Sequence, residues 1–254
     1  MKQVFSLVLL GLFCSNVVAA PAESQCAVQR NDKVKVEATG AVQSGRIVNG
    51  IGVKKIERYQ FAISLRYDGQ FHCAASIITP THGITSASKM FPLLGFLSNV
   101  TVIGGSTSAL SGGIELPLID VFFHPSYKAS FDSLDFDVAV FTVPTNAFQG
   151  KTNMAPIALQ TSELPAGSRC YVVGWGRTNL LDPSVGNELR YATMNIVSQR
   201  ACIRSWADWM IISTNLMCTK YCFGVDTCWG DEGSALVCDG KLTGIAAFTN
   251  FNCD

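Results

Sequence analysis

Near its C-terminus the chain reads Asp226-Thr227-Cys228-Trp229-Gly230-Asp231-Glu232-Gly233-Ser234-Ala235-Leu236-Val237-Cys238. Glycines flank an acidic pair and a short apolar run ends on the second cysteine, so the stretch reads as a tight turn delivered into a strand between cysteines. Its setting is a chain of 254 residues, 48% hydrophobic and 15% charged, with 22 glycines, enough to bury one large core or two small ones. Nineteen acidic and nineteen basic residues cancel, so nothing in the net charge favours nucleic acid or an anionic membrane. Partners must be recognised by shape.

The 226–238 stretch resembles the loop of trypsin- and chymotrypsin-like serine proteases that reads Asp-Ser-Cys-Gln-Gly-Asp-Ser-Gly-Gly-Pro. In that family the loop presents the nucleophilic serine beside the backbone N–H groups of the oxyanion hole. Here the nucleophile's position is Glu232, and Gly230 and Glu232 occupy the oxyanion loop. A carboxylate is a poor attacking group on a peptide carbonyl, so the resemblance implies a frame kept without its chemistry. Upstream, Arg46-Ile47-Val48-Asn49-Gly50 is similar to the family's activation site. Cleavage after Arg46 would free an Ile47 amine to pair with Asp231 and shape the loop.

The other catalytic positions follow from the same resemblance. His72-Cys73-Ala74-Ala75-Ser76-Ile77-Ile78 looks like the family's His-x-Cys-Gly-Gly-Ser-Leu-Ile strand. Where the family then has Thr-Ala-Ala-His-Cys, this chain has Thr85-Ser86-Ala87-Ser88-Lys89. Ser88 thus stands at the general base, and a hydroxyl cannot take and return a proton near neutral pH as imidazole does. Lys89 replaces the cysteine that would bridge to Cys73. The remaining histidines, His72, His82 and His124, read as structural. Asp135-Phe136-Asp137-Val138-Ala139-Val140 resembles Asn-Asp-Ile-Ala-Leu and puts the orienting carboxylate at Asp137, in preference to a simple strand-edge charge. Asp137 and Glu232 would then face each other as like charges, one pushed toward protonation unless Lys89 neutralises it.

At the specificity pocket, Asp226 stands where trypsin-like enzymes receive Arg or Lys, and Thr249, in Gly244-Ile245-Ala246-Ala247-Phe248-Thr249, would narrow the mouth. The sequence given stops at Asp254, whereas the family continues through another strand and a closing helix. The second barrel is therefore expected to be truncated at its C-terminus, with an exposed sheet edge.

Lys2, the apolar run 4–13 and Val18-Ala19-Ala20 match a secretory signal of residues 1–20, in preference to a membrane anchor, for which the run is too short. Residues 21–46 read as a pro-segment and 47–254 as the homology domain. Asn99-Val100-Thr101 is a candidate glycosylation site. Of ten cysteines, nine remain without Cys14, and no Cys/His cluster suggests zinc. The resemblance implies Cys170 with Cys238, Cys202 with Cys218 and Cys228 with Cys253, leaving Cys26, Cys73 and Cys222.

Short β-branched and aromatic runs at 61–67, 75–78, 100–103, 119–123 and 138–143, then 168–173, 189–196, 234–238 and 242–248, carry no long helical period. The expected fold is all-β, two Greek-key barrels of the six-stranded type in series, joined within 144–165 and with one helix over 198–210. The expected function is a secreted, non-catalytic homologue that binds extracellular proteins, proteases or their substrates, without cofactor, nucleic acid or membrane span. Two alternatives stand beside it. One is an endopeptidase of weak or unusual activity using Ser88 or Ser234, against which stands a loss of about a million-fold when serine or histidine is removed. The other is a metal or glycosidase-like carboxylate pair at Asp137 and Glu232, which lacks histidine ligands.

Overall fold

The computed structural model describes residues 11–15, 50–130, 134–177, 188–220 and 227–249, with 11–15 and 249 described by backbone alone. Fourteen strands among them form two seven-stranded sheets.

The first sheet holds β3 (Ala62–Tyr67), β4 (Gln70–Ile77), β5 (His82–Thr85), β6 (Val100–Gly104), β7 (Ile114–Pro117), β8 (Asp120–Phe123) and β9 (Ala139–Thr142). They run in the order β7-β6-β3-β4-β5-β9-β8, every pair antiparallel. Asp68 and Gly69 make the β3–β4 turn, both with positive φ, the conformation that Asp and Gly accept at least cost. Along these strands Ile63, Leu65, Ile77, Val102 and Phe141 point into one core, all fully or nearly fully buried.

The second sheet holds β1 (Gly11–Ser15), β2 (Ile51–Gly52), β10 (Arg169–Gly174), β11 (Arg190–Ile196), β12 (Leu216–Lys220), β13 (Ala235–Cys238) and β14 (Lys241–Thr249). Its order is β10-β13-β14-β1-β12-β11-β2, and β10 also pairs β11, so six strands close a ring with β2 attached outside. The sheet differs from the expectation at one place. The edge expected to lie open is filled by β1, part of the stretch 1–20 assigned above to a removable signal, which pairs parallel to both β12 and β14. No open edge is left between those two strands.

The expected junction is a strap bonded to both sheets. Ala155 N–H donates to the Gln60 carbonyl and Ile157 N–H to that of Ile77, while Leu242 N–H donates to Ala158 and Gln160 N–H to Leu242. A shared core spans the join, from Ala74, Ile84 and Val140 of the first sheet to Val173, Ala235 and Ile245 of the second.

Two short α-helices among the described residues complete the frame. α1 (Ala87–Met90) follows β5 directly. α2 (Gln199–Trp206) begins at Ser198, whose Oγ accepts the Ala201 N–H, and ends four residues before the expected limit. Strands β2, β5, β7 and β12 and the start of β4 ahead of His72 were not foreseen; Gln70-Phe71 and His82-Gly83 dilute the β-branched pattern and Leu216-Met217-Cys218 lacks it.

The loop of 228–234 crosses from one sheet to the other. Ala74 N–H of β4 donates to the Glu232 carbonyl at 3.2 Å, and Gly233 N–H donates to Ala246 of β14 at 2.8 Å. Gly233 has φ of 83°, and a Cβ there would collide with the Ala74 carbonyl oxygen and the Thr85 hydroxyl. Gly233→Ala is therefore expected to destabilise by at least about 2 kcal/mol, from strain plus overpacking. Urea unfolding measures it, and a change within experimental error would show that the two sheets do not meet at this point.

Candidate functional site

The site is built where that loop lies against the β5–α1 corner. Asp231 is buried, and its carboxylate holds the turn: Oδ1 accepts the Gly176 N–H at 2.8 Å and Oδ2 accepts the Cys228 N–H at 3.0 Å. A Cβ at Gly176 would fall on the Asp231 carboxyl, so only glycine lets that backbone approach. Asp231 N–H donates to Cys228 and Ser234 N–H to Asp231, which tightens the turn. Gly230, with φ of 95°, then turns its N–H inward.

That N–H does not face empty space. Glu232 curls back and its Oε2 accepts the Gly230 N–H at 2.9 Å, while the same oxygen lies 3.4 Å from Lys89 Nζ. The pair is partly covered, with 31% of the lysine side chain and 16% of the glutamate exposed. A charge-assisted bond from a backbone N–H and an ion pair thus meet on one carboxylate oxygen.

Asp137 answers to different partners. Its Oδ1 accepts the Ser88 N–H at 2.5 Å, and its Oδ2 accepts the hydroxyls of Ser86 at 2.8 Å and Ser88 at 3.0 Å. The like-charge confrontation expected from the sequence is thereby replaced: Lys89 takes Glu232, and two serines with a backbone N–H take Asp137. Burial still pushes the Asp137 carboxyl above the ordinary carboxylate range, opposed by the bonds from Ser88 and Ser86. Ser86 was not singled out in the sequence. Only its place two residues before Ser88 could have suggested that it would share the same carboxylate.

Beneath them lies Cys73, free and fully buried, its Sγ 3.6 Å from the Thr85 hydroxyl. Desolvation pushes its thiol up to about 12, so it is not a nucleophile at neutral pH. His72 donates from Nε2 to the Lys89 carbonyl at 2.7 Å, and burial lowers its pKa. His82 Nδ1 lies 2.9 Å from the hydroxyls of Thr79 and Thr81, and His124 stacks on Phe136 at 4.4 Å. None of the three has Glu232 or Asp137 as its hydrogen-bond partner in these contacts.

Of the remaining expected positions, Asn99 is exposed and donates from Nδ2 to Asp68 at 2.8 Å. The Cys170–Cys238 bridge joins β10 to β13, and Cys202–Cys218 ties α2 to β12. Cys228 is disulfide-bonded, while its expected partner Cys253 lies outside the described residues. So do Arg46, Ile47, Asp226, Cys26 and Cys222, and of Thr249 only the backbone is described, at the end of β14. Among the described residues no group of three His, Cys, Asp or Glu could hold a metal, and no helix is long and apolar enough to cross a membrane.

Two measurements follow. The folded Asp137 carboxyl lies above its unfolded value near 3.8, so its proton favours the folded chain. That contribution is full below the unfolded value and is lost as pH rises through the folded one. Asp137→Asn can keep the Ser88 N–H bond without titrating, so its melting temperature should vary less than the parent's as pH rises above the unfolded carboxylate value. Parallel pH profiles would contradict this. Lys89→Cys should consume the Cys73 thiol and, for a closed loop of about 15 residues, stabilise by up to about 3 kcal/mol. Thiol titration of the unfolded protein, showing no fewer free thiols than expected for an unbridged pair, would contradict it.

Comparison with known proteins agrees with the geometry. Residues 47–254 match the family model described as Trypsin. The chain is 30% identical over 210 residues to trypsin alpha of Drosophila erecta, covering 80% of this chain and 77% of that protein. It is 29% identical over 204 residues to trypsin alpha of Drosophila melanogaster, with 80% and 77% covered. In structure it resembles neuropsin, a serine protease expressed in the limbic system of mouse brain, with a TM-score of 0.69, 25% identity, and 79% of this chain and 86% of that one covered. The chain belongs to the trypsin family.

Proposed function

We propose that this chain is a non-catalytic member of its family: a secreted protein that binds extracellular proteins, proteases or their substrates, and regulates a proteolytic pathway without cutting. One observation carries the reading. The Gly230 N–H, a donor of the kind that would polarise a scissile carbonyl, is already spent on the chain's own Glu232 carboxylate, itself held by Lys89. An incoming carbonyl oxygen would have to displace a full negative charge from that donor. Ser88 supports the same reading from the other side, since Asp137 binds two hydroxyls where it would orient an imidazole. What is kept, a hydrogen-bonded loop, the Cys170–Cys238 and Cys202–Cys218 bridges and two antiparallel sheets, is a surface on which a protease-sized partner can be recognised.

A second reading, a serine-type endopeptidase of weak or unusual activity, is favoured by the relatives, which are named as trypsins. Two assays separate the readings. The purified protein is expected to turn over no Arg, Lys or aromatic peptide substrate above background and to stay unlabelled by a fluorophosphonate probe. Turnover abolished by a serine-directed inhibitor would overturn the proposal. Glu232→Ser alone is expected to remain inert, because the new hydroxyl has no base to take its proton.

A further inference from the structure

The chain is neutral overall, yet its charge is uneven just beyond β2. Lys54, Lys55 and Arg58 fall within five residues, all exposed, with Glu57 the one carboxylate among them. They stand around an open cleft of about 570 Å³ that Tyr59 and Tyr191 also line, a size at which surface clefts hold ligands. The Tyr59 and Tyr191 rings lie 5.8 Å apart, tilted by 30°, and Tyr171 packs edge-on against Tyr59 at 5.8 Å, so the Tyr59 ring is held between two others. Lys89–Glu232 and Arg190–Glu188 pair among the described residues, while no ion pair takes Lys54, Lys55 or Arg58 there. Glu188, whose carboxylate lies over Gly52, is held by Arg190 Nη2 at 3.2 Å.

Like charges on so short a segment repel one another, and a bound anion relieves that repulsion. Burial, with Tyr191 and Tyr171 beside it, pushes the Tyr59 hydroxyl up to about 12, so it stays a neutral donor and adds no negative charge to the cleft. β2 is the last strand of its sheet, paired to β11 alone among the described strands. Its outer edge therefore offers backbone donors and acceptors that a peptide can meet in register and a sugar chain cannot. We propose that this cleft is a docking site for an acidic peptide segment of a partner protein, its carboxylates against Lys54, Lys55 and Arg58 and an aromatic side chain against Tyr59 and Tyr191. Glu57 sharpens the choice of ligand: a continuous array of sulfates would run into its charge, whereas a peptide can set an uncharged residue opposite it. The cleft gives extracellular binding a partner chemistry but shares no residue with the Glu232 site, so either reading can fail without the other.

The test uses the full chain and a fluorescent peptide, Glu-Asp-Phe-Asp-Glu, with binding read by anisotropy. Binding is expected to weaken by about tenfold or more in Lys54→Glu with Lys55→Glu, two exposed side chains whose replacement leaves the core untouched. It should change by less than about twofold in Lys128→Glu with Lys151→Glu, exposed lysines that do not line the cleft. Unchanged melting temperatures confirm that both double variants are folded. The uncharged peptide Gln-Asn-Phe-Asn-Gln is expected to bind more weakly than the acidic one. Tyr191→Ala should cost the acidic peptide more than its glycine-centred version, Glu-Asp-Gly-Asp-Glu, which has no ring to lose contact. No binding at up to about 1 mM peptide, or an equal loss in the two lysine double variants, overturns the proposal. A sulfated oligosaccharide that binds the parent chain where the acidic peptide does not also overturns it, and gives the cleft to a glycan.

Discussion

The buried carboxylate of Asp231 is the constraint on which the site depends. It accepts two backbone N–H groups from different segments, at Gly176 and Cys228, and so fixes where the loop turns. Everything downstream inherits that position: the Glu232 carbonyl reaches Ala74 of the first sheet, and Gly233 N–H reaches Ala246 of the second. A buried charge is tolerated only when hydrogen bonds replace its water, and glycine at 176 admits one of those donors at close range.

From that fixed turn the side chain of Glu232 has a short way to go. Its charge needs partners, and the nearest ones are a backbone donor on its own loop and the ammonium group of Lys89. The same lysine ties the α1 corner to the loop by charge, while Cys73 of the neighbouring β4 keeps a free, buried thiol. Asp137, released from any histidine, gathers the hydroxyls of Ser86 and Ser88 and the Ser88 N–H, which together offset its burial.

Much of this was legible in the sequence, and for identifiable reasons. The pattern of short β-branched runs fixed the fold class, and the loop 226–238 placed the carboxylates, because glycine and cysteine spacing records backbone geometry directly. Two disulfides joining β10 to β13 and α2 to β12 were anticipated by resemblance alone. What escaped was tertiary pairing. Nothing local says that Glu232 turns back toward Gly230, that Ser86 joins Ser88 on Asp137, or that Gly11–Ser15 seats between β12 and β14. Polar strands such as His82–Thr85 were missed because their identity comes from the neighbours they pair with.

The Lys89–Glu232 pair also bears on how such a chain can change over generations. The two residues are coupled, so the effect of altering either depends on the other. A lone return of position 232 to an uncharged hydroxyl leaves an ammonium group beside a vacated donor; a lone change at 89 leaves a carboxylate with only the Gly230 N–H. A single change at either position therefore leaves its partner less compensated, except where the new residue brings a tie of its own, as a cysteine at 89 would through Cys73. Under the non-catalytic reading it is the mutual accommodation of these neighbours, rather than any one group, that holds the site in its present form.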